Sequence, residues 1–560
     1  MTPGKKLSGI LKECAYERWA LWKEEKKGRG MNRRSFLRLP VRPVSQSRAL
    51  AGLEPYAGPW DRRQATHLIR RTGFGAIKRE VDGAFFDGSA PAAVDRLVDA
   101  ALADPLPEAP SWYGGSSSSG INEIYDLQRS WLDAMRANGL IEKMTLFWHN
   151  HFVTQHTSID QKTSLSTAHL VYDYYTLLRK NALGNFRTLV EKIGTNPAML
   201  IYLDGFVNER GKANENYARE LLELFTMGQF GPDGSENYTE ADIKEIARAL
   251  TGWVVTSDRK ASFDPARHDD GVKTFWGQSG AFGYDDVAAA VFEKRAGQTA
   301  HFVCRKLYTF FVQAVPDEGV VSALAAEMLA QDFEIAPVLR KLLKSAHFYD
   351  DAFIGARIKS PVEYLVGFLR EAEVVPTQDL LENMREALTP LNLAQELFNP
   401  PNVAGWPGLN PPDAGGAPGH HAWLTTTALP ERWAFLSDLV YGNGGADYDP
   451  LDLVTKLSDP SDPFRIAVDL AETMIPVPLE EAAIRDVPDD LVGMEERPPP
   501  EDILNGPAYV LNLSKILLDG LPHYGWPIII DPGDPDVADA RTLVRGYLSY
   551  LIQLPAYQLM

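Results

Sequence analysis

Phe147-Trp148-His149-Asn150-His151-Phe152 places two imidazoles and an amide inside an apolar aromatic run. Such groups, buried without partners, cost a few kcal/mol each, so backbone carbonyls, carboxylates or a metal ion must satisfy them. On a helix, residues two apart point about 200° from one another and do not easily face one ion. On an extended segment or at a helix end, His149 and His151 share a side. The pair therefore reads either as metal or catalytic groups, or as capping groups bonded to carboxylates.

A second constellation runs from Asn214 to Phe225. Asn214 reads as a helix N-cap. Asn216 and Glu220 share a face at i,i+4, and Glu220 and Glu223 share one at i,i+3, a spacing at which helical carboxylates converge on an ion. The competing reading is an Arg219–Glu223 ion pair on a solvated face. Leu221, Leu222, Leu224 and Phe225 leave little of this helix polar, so at least one glutamate points into protein. A third lies in Arg267-His268-Asp269-Asp270-Gly271, where one imidazole and two carboxylates share a tight turn. That suits a divalent ion, and turn chemistry alone also accounts for Asp-Gly.

Taken together, these residues predict a ligand set of His149, His151, Glu220, His268 and Asp269, with Asn216 and Glu223 behind it. Mixed His and carboxylate ligation favours iron, manganese or zinc over copper or magnesium. Glu215 or Glu223 would act as base for a water on the ion, in a hydrolysis or an oxidation. His301 and Cys304 read as ordinary helix-core residues, and His420-His421 as surface residues. No GxSxG, P-loop, HExxH or GxGxxG pattern occurs, which argues against a nucleotide cofactor and the common hydrolase and zincin chemistries.

The elements that must position these groups are helical. Apolar residues recur at 3–4 spacing over Tyr125–Asn138, Leu140–Phe152, Leu165–Asn181, Tyr217–Gly228, Glu240–Val254 and Thr299–Val315. Strand-like runs are few, the best being Trp253–Thr256 with Ala261–Phe263 as a small hairpin. We expect a mainly α fold: a tail and linker over 1–60, then one large multi-helix domain over 61–560. An acidic, proline-rich surface excursion is expected at 442–505. With 560 residues, 45% hydrophobic, core material is ample. A net charge of -19 argues against nonspecific binding to nucleic acid or anionic lipid. The two cysteines, Cys14 and Cys304, are too few for a disulfide framework, and no apolar run is long enough to span a membrane.

Met31-Asn32-Arg33-Arg34-Ser35-Phe36-Leu37 resembles a twin-arginine export signal. The apolar stretch such a signal needs is broken by Pro40, Arg42, Pro43 and Arg48, which reads as a decayed signal or a basic tail. Met1 and Met31 both stand as candidate starts.

Several ordered segments resemble a bacterial family of unknown function, number 1800. They are Ala65–Leu68 to Gly75, Glu142–Phe152, Asn196–Gly205, Asn214–Leu221, Ala249–Trp253, His268-Asp269 with Lys273-Thr274, Pro400–Pro407 and the terminal Tyr557-Gln558. The resemblance implies an exported helical protein of the periplasm or cell envelope, with a cytoplasmic location as the alternative. It also implies a partner from family number 1501, which looks like an alkaline-phosphatase-type hydrolase. It implies no activity, so the site rests on residue chemistry. Beside the metal-binding or metalloenzyme reading stand two others. One is a non-catalytic scaffold or partner subunit in which the histidines pair with Glu220 and Asp269. The other is a carbohydrate-binding or carbohydrate-active protein that uses exposed aromatic loops such as Trp406 and Trp423.

Overall fold

The computed structural model describes residues 52–114, 120–412, 419–442, 445, 448–487 and 497–560. The twin-arginine-like run and Cys14 lie outside the described residues. The fold is mainly α, with two small antiparallel two-stranded sheets among the described residues. No helix among them is long and apolar enough to cross a membrane. The chain divides into two compact units. Among the described residues, one holds those up to Arg370, 376–432 and Met560, and the other holds 371–375 and 433–559.

The first unit carries all the predicted site residues. Helix α1 (Arg62–Thr72) starts where Asp61 accepts from the Arg63 and Gln64 amides. Helices α2 (Ile121–Ala137), α3 (Leu140–His151) and α4 (Thr167–Lys180) pack on one another. Helix α5 (Asn216–Glu220) runs directly into a π-helical turn, Leu221–Thr226. There the Met227 and Gly228 amides both donate to the Leu222 carbonyl, at 3.1 and 3.0 Å. Helix α6 (Glu240–Ala249) opens on a capping box between Thr239 and Asp242. It leads into the predicted hairpin, β1 (Trp253–Val255) and β2 (Ala261–Phe263), with Trp253 opposite Phe263. A second hairpin follows, β3 (Lys273–Phe275) and β4 (Gln278–Gly280), which the sequence pattern did not reveal. Its two loop residues, Trp276 and Gly277, both have positive φ (46° and 74°), the backbone of a tight hairpin turn. Helices α7 (Ala296–Phe311) and α8 (Pro361–Glu371) complete the elements that reach the site.

The second unit is built on α9 (Pro463–Met474), α10 (Ala508–Leu518) and α11 (Val537–Gln553), which pack mutually. Tyr547 OH donates to the Ala467 carbonyl at 2.5 Å. Within the surface excursion expected at 442–505, Pro463–Met474 instead forms a packed helix, whereas residues 497–505 are mostly exposed. Phe464, Ile466, Ala467, Leu470, Ala471 and Met474 are buried. Pro463 sits in the first turn of α9, where proline starts a helix rather than breaking it.

Candidate functional site

All twelve residues of α3 are buried. A helix with no solvated face must satisfy every polar side chain inside the protein. His149 does so completely. The Phe398 amide donates to its Nε2 at 3.0 Å, which leaves the ring proton on Nδ1. Nδ1 faces Tyr174 OH at 3.0 Å, and that hydroxyl donates to the Phe152 carbonyl at 2.6 Å. His151 Nε2 donates to the Phe225 carbonyl at 2.9 Å. Its Nδ1 takes the Lys306 ammonium at 3.3 Å, and Lys306 also reaches the Leu224 carbonyl. The two rings thus serve different neighbours, and neither keeps a lone pair in reserve. The carboxylate partners expected for them, Glu220 and Asp269, are not used.

Burial pushes His149 down to about 3. It also holds His151 well below the usual imidazole range, with the Lys306 charge adding to the effect. Burial draws the Lys306 ammonium down to about 7. Asn150, between the two histidines, clamps a loop. Its Oδ1 accepts from the Trp406 amide at 2.7 Å, and its Nδ2 donates to Asn410 Oδ1 at 3.1 Å. Gly405 makes this approach with φ +86°, and a Cβ there would lie 2.4 Å from Asn150 Oδ1. The turn carries Trp406 inward to 1% exposure, and Trp423 is buried at 4%. The expectation of exposed aromatic loops at Trp406 and Trp423 is therefore corrected. So is that of a surface His420, which is also buried.

The acidic constellation sits elsewhere. Asn214 precedes the N-cap, which is Glu215, and Asn214 Oδ1 accepts from the Asn216 amide at 2.9 Å. Arg219 forks onto Glu240 with two bonds of 2.8 Å and reaches Glu215 at 3.5 Å, so the expected Arg219–Glu223 pair does not form. Glu223 accepts from Tyr238 OH at 3.2 Å. Glu220 carries the unusual carboxyl. Burial, then the charge of Glu223, raises it to about 7, and no donor bonds it among the described residues.

A folded-state value above the unfolded one means that the fold disfavours the charged form, so stability falls as pH rises from about 4.5 towards 7. Glu220→Gln is accordingly expected to raise the melting temperature at pH 8 and leave it nearly unchanged at pH 5. Thermal melts at the two pH values check this, and an equal effect at both would refute it.

The His268–Asp269 turn is closed by arginines. His268 Nδ1 donates to the Thr251 carbonyl at 2.9 Å. Asp269 takes Arg248 through two bonds, 2.8 and 3.2 Å, and that guanidinium holds its carboxyl down to about 2. Asp270 pairs with Arg210 at 2.5 Å. The structure therefore does not bring His149, His151, Glu220, His268 and Asp269 together. Among the described residues, no three or more His, Cys, Asp or Glu side chains gather as a set that could hold a metal ion.

Sequence reasoning overlooked the buried charges next to these residues. Glu142 on α3 accepts from Trp131 Nε1 at 2.8 Å and pairs with Arg179 at 2.6 Å. Lys143 meets Glu363 of α8 with both side chains essentially unexposed. A signal was present in Leu140-Ile141-Glu142-Lys143-Met144, where adjacent opposite charges stand in a helix that is apolar all round.

A family described as protein of unknown function, DUF1800, matches residues 67–558. The chain belongs to the DUF1800 family. Apart from Ala65 and Thr66, every segment quoted for the resemblance falls inside the DUF1800 match. No curated protein and no solved structure matches the chain.

Proposed function

We propose that this DUF1800 protein is a non-catalytic scaffold or partner subunit of a cell-envelope complex, in which the His149-Asn150-His151 segment locks a helix array around α3. One observation supports this above others. Every ring nitrogen of His149 and His151 is engaged by tyrosine, lysine or backbone groups. A metal ligand needs a free imidazole lone pair, and here both lone pairs accept hydrogen bonds. The envelope location and a phosphatase-like partner of family 1501 belong to the same proposal and rest on what membership of the DUF1800 family implies.

Elemental analysis of the purified protein, repeated on the His149→Ala/His151→Ala variant with folding checked by circular dichroism, is the test. The expected result is no iron, manganese or zinc that depends on the two histidines, with the variant melting at lower temperature. Near-stoichiometric metal in the wild type that a folded variant loses would overturn the reading.

A second reading is favoured by Glu220, a half-buried carboxyl poised near neutrality beside Glu223 on a π-helical turn. Perturbed carboxyls and π-turns both concentrate at functional sites. On that reading Glu220 and Glu223 act as an acid–base pair, with or without a metal ion. Loss of a hydrolytic activity in folded Glu220→Gln, in screens of the purified protein against ester and phosphoester substrates, supports it.

A further inference from the structure

Where α1, α3 and α8 meet, three cations are buried around one carboxylate. Arg71 and Lys143 are 0% exposed, Arg357 is 2% and Glu363 is 1%. Lys143 Nζ and Arg357 Nη1 both face Glu363 Oε1, the latter at 4.0 Å. The other oxygen of Glu363 accepts from the Ser360 amide at 2.7 Å. Arg71 donates through Nη2 to the Val312 and Phe353 carbonyls, at 2.9 and 2.7 Å. Its Nε and Nη1 are buried with no acceptor. Glu363 is the carboxylate whose charge bears on all three cations. Backbone carbonyls solvate a guanidinium in part, but a surplus of buried positive charge calls for an anion.

Beside this cluster is a cavity of about 10 Å³, room for one water-sized particle. Arg357, His420, Thr309 and Asn410 line it. The Ile358 amide donates to His420 Nδ1 at 3.0 Å, so the ring proton is on Nε2 and is available to an acceptor. Thr309 already donates to the Lys306 carbonyl, Asn410 Nδ2 to the Ala404 carbonyl and Arg357 Nη1 to the Phe310 carbonyl, which leaves the rest of the Arg357 guanidinium and His420 Nε2–H as the principal donors at the cavity. Gly408, Leu409 and Asn410, from the loop that Asn150 clamps, complete the lining with Ala314.

We infer that this cavity binds one chloride-sized anion, held by the Arg357 guanidinium and His420 Nε2–H and favoured at longer range by Arg71 and Lys143. A monatomic anion is the one that asks least room of so small a cavity. Binding to the folded state alone raises stability with ligand concentration.

The test is the melting temperature of the full chain in sodium chloride from 1 to 100 mM, against sodium gluconate and sodium phosphate at matched ionic strength. Chloride is expected to give a saturating rise of roughly 2 °C that gluconate and phosphate lack. Arg357→Met is expected to abolish the rise. His420→Phe, which leaves the charged cluster whole, is expected to weaken it and keeps the idea testable if the arginine variant does not fold. Broadening of the ³⁵Cl resonance by wild type, reversed by bromide, reads the same site directly. A rise that is equal in all three salts overturns the assignment, as does one that persists in both folded variants. A rise specific to phosphate overturns the choice of a monatomic anion.

Discussion

Lowering the pH from 7 to 5 is expected to destabilise this protein by about 4 kcal/mol through His149 and His420 alone. Both imidazoles are held down to about 3, in each case chiefly by burial. In the unfolded chain they protonate near 6.5. Between those values the unfolded state binds the extra protons, so stability is lost as pH falls below 6.5, by about 2 kcal/mol for each group at pH 5. His67 and His151, also shifted well down, act in the same direction. Glu363, held down to about 2 by Lys143 and Arg357 against the opposing effect of burial, adds its loss at lower pH, below about 4.5. Denaturant melts at pH 7, 6 and 5 on the Glu220→Gln background measure the effect, because Glu220, raised to about 7, opposes it over the same range. A folded His149→Phe variant should show a pH dependence shallower by about 2 kcal/mol over that range. Identical slopes in variant and wild type would rule out a neutral, buried His149.

The second large effect concerns the α3–α8 ion pair. Glu363→Gln is expected to cost about 3–5 kcal/mol, because it leaves Lys143 and Arg357 without the carboxylate they face and removes the charge that offsets Arg71 at longer range. Lys143→Met should cost less. It removes one of three like charges and leaves Glu363 with Arg357 at 4.0 Å and the Ser360 amide. The ordering is the informative part, and chemical denaturation of both variants in the same buffer gives it. Equal losses, or a larger loss for Lys143→Met, would contradict a surplus of positive charge in this region.

The elements of the fold were largely legible in the residues. Helical periodicity located α2, α3, α4 and α5, and the alternation around Trp253 located the first hairpin. The identity of the polar partners was not legible. His149 is satisfied by Tyr174, 25 residues on, and by the Phe398 amide, 249 residues on. No local spacing encodes such contacts, and a backbone amide leaves no trace in residue type. Matching carboxylates to imidazoles by chemistry alone therefore paired His149 and His151 with Glu220 and Asp269, which the structure gives to other neighbours. The Pro400–Gly408 loop misled for a related reason. Proline and glycine suggested an exposed turn, yet the positive φ of Gly405 folds Trp406 into the core against Asn150. The α9 part of the 442–505 segment misled through composition, since the acidic and proline residues around it outweighed its apolar spacing.

The complete enclosure of α3 bears on how the protein is made. During synthesis, Leu140–His151 leaves the ribosome long before Glu363, Phe398 and Trp406 exist to cover it. At about 5–20 residues per second, the 249 residues from His149 to Phe398 take roughly 12–50 s. For that interval a nascent chain exposes Phe147, Trp148 and Phe152 to water, while its two imidazoles stay solvated until burial demands their partners. Helix α1 waits longer still, since Arg71 meets the Phe353 carbonyl only 282 residues on, so two of the most buried helices emerge well before their partners.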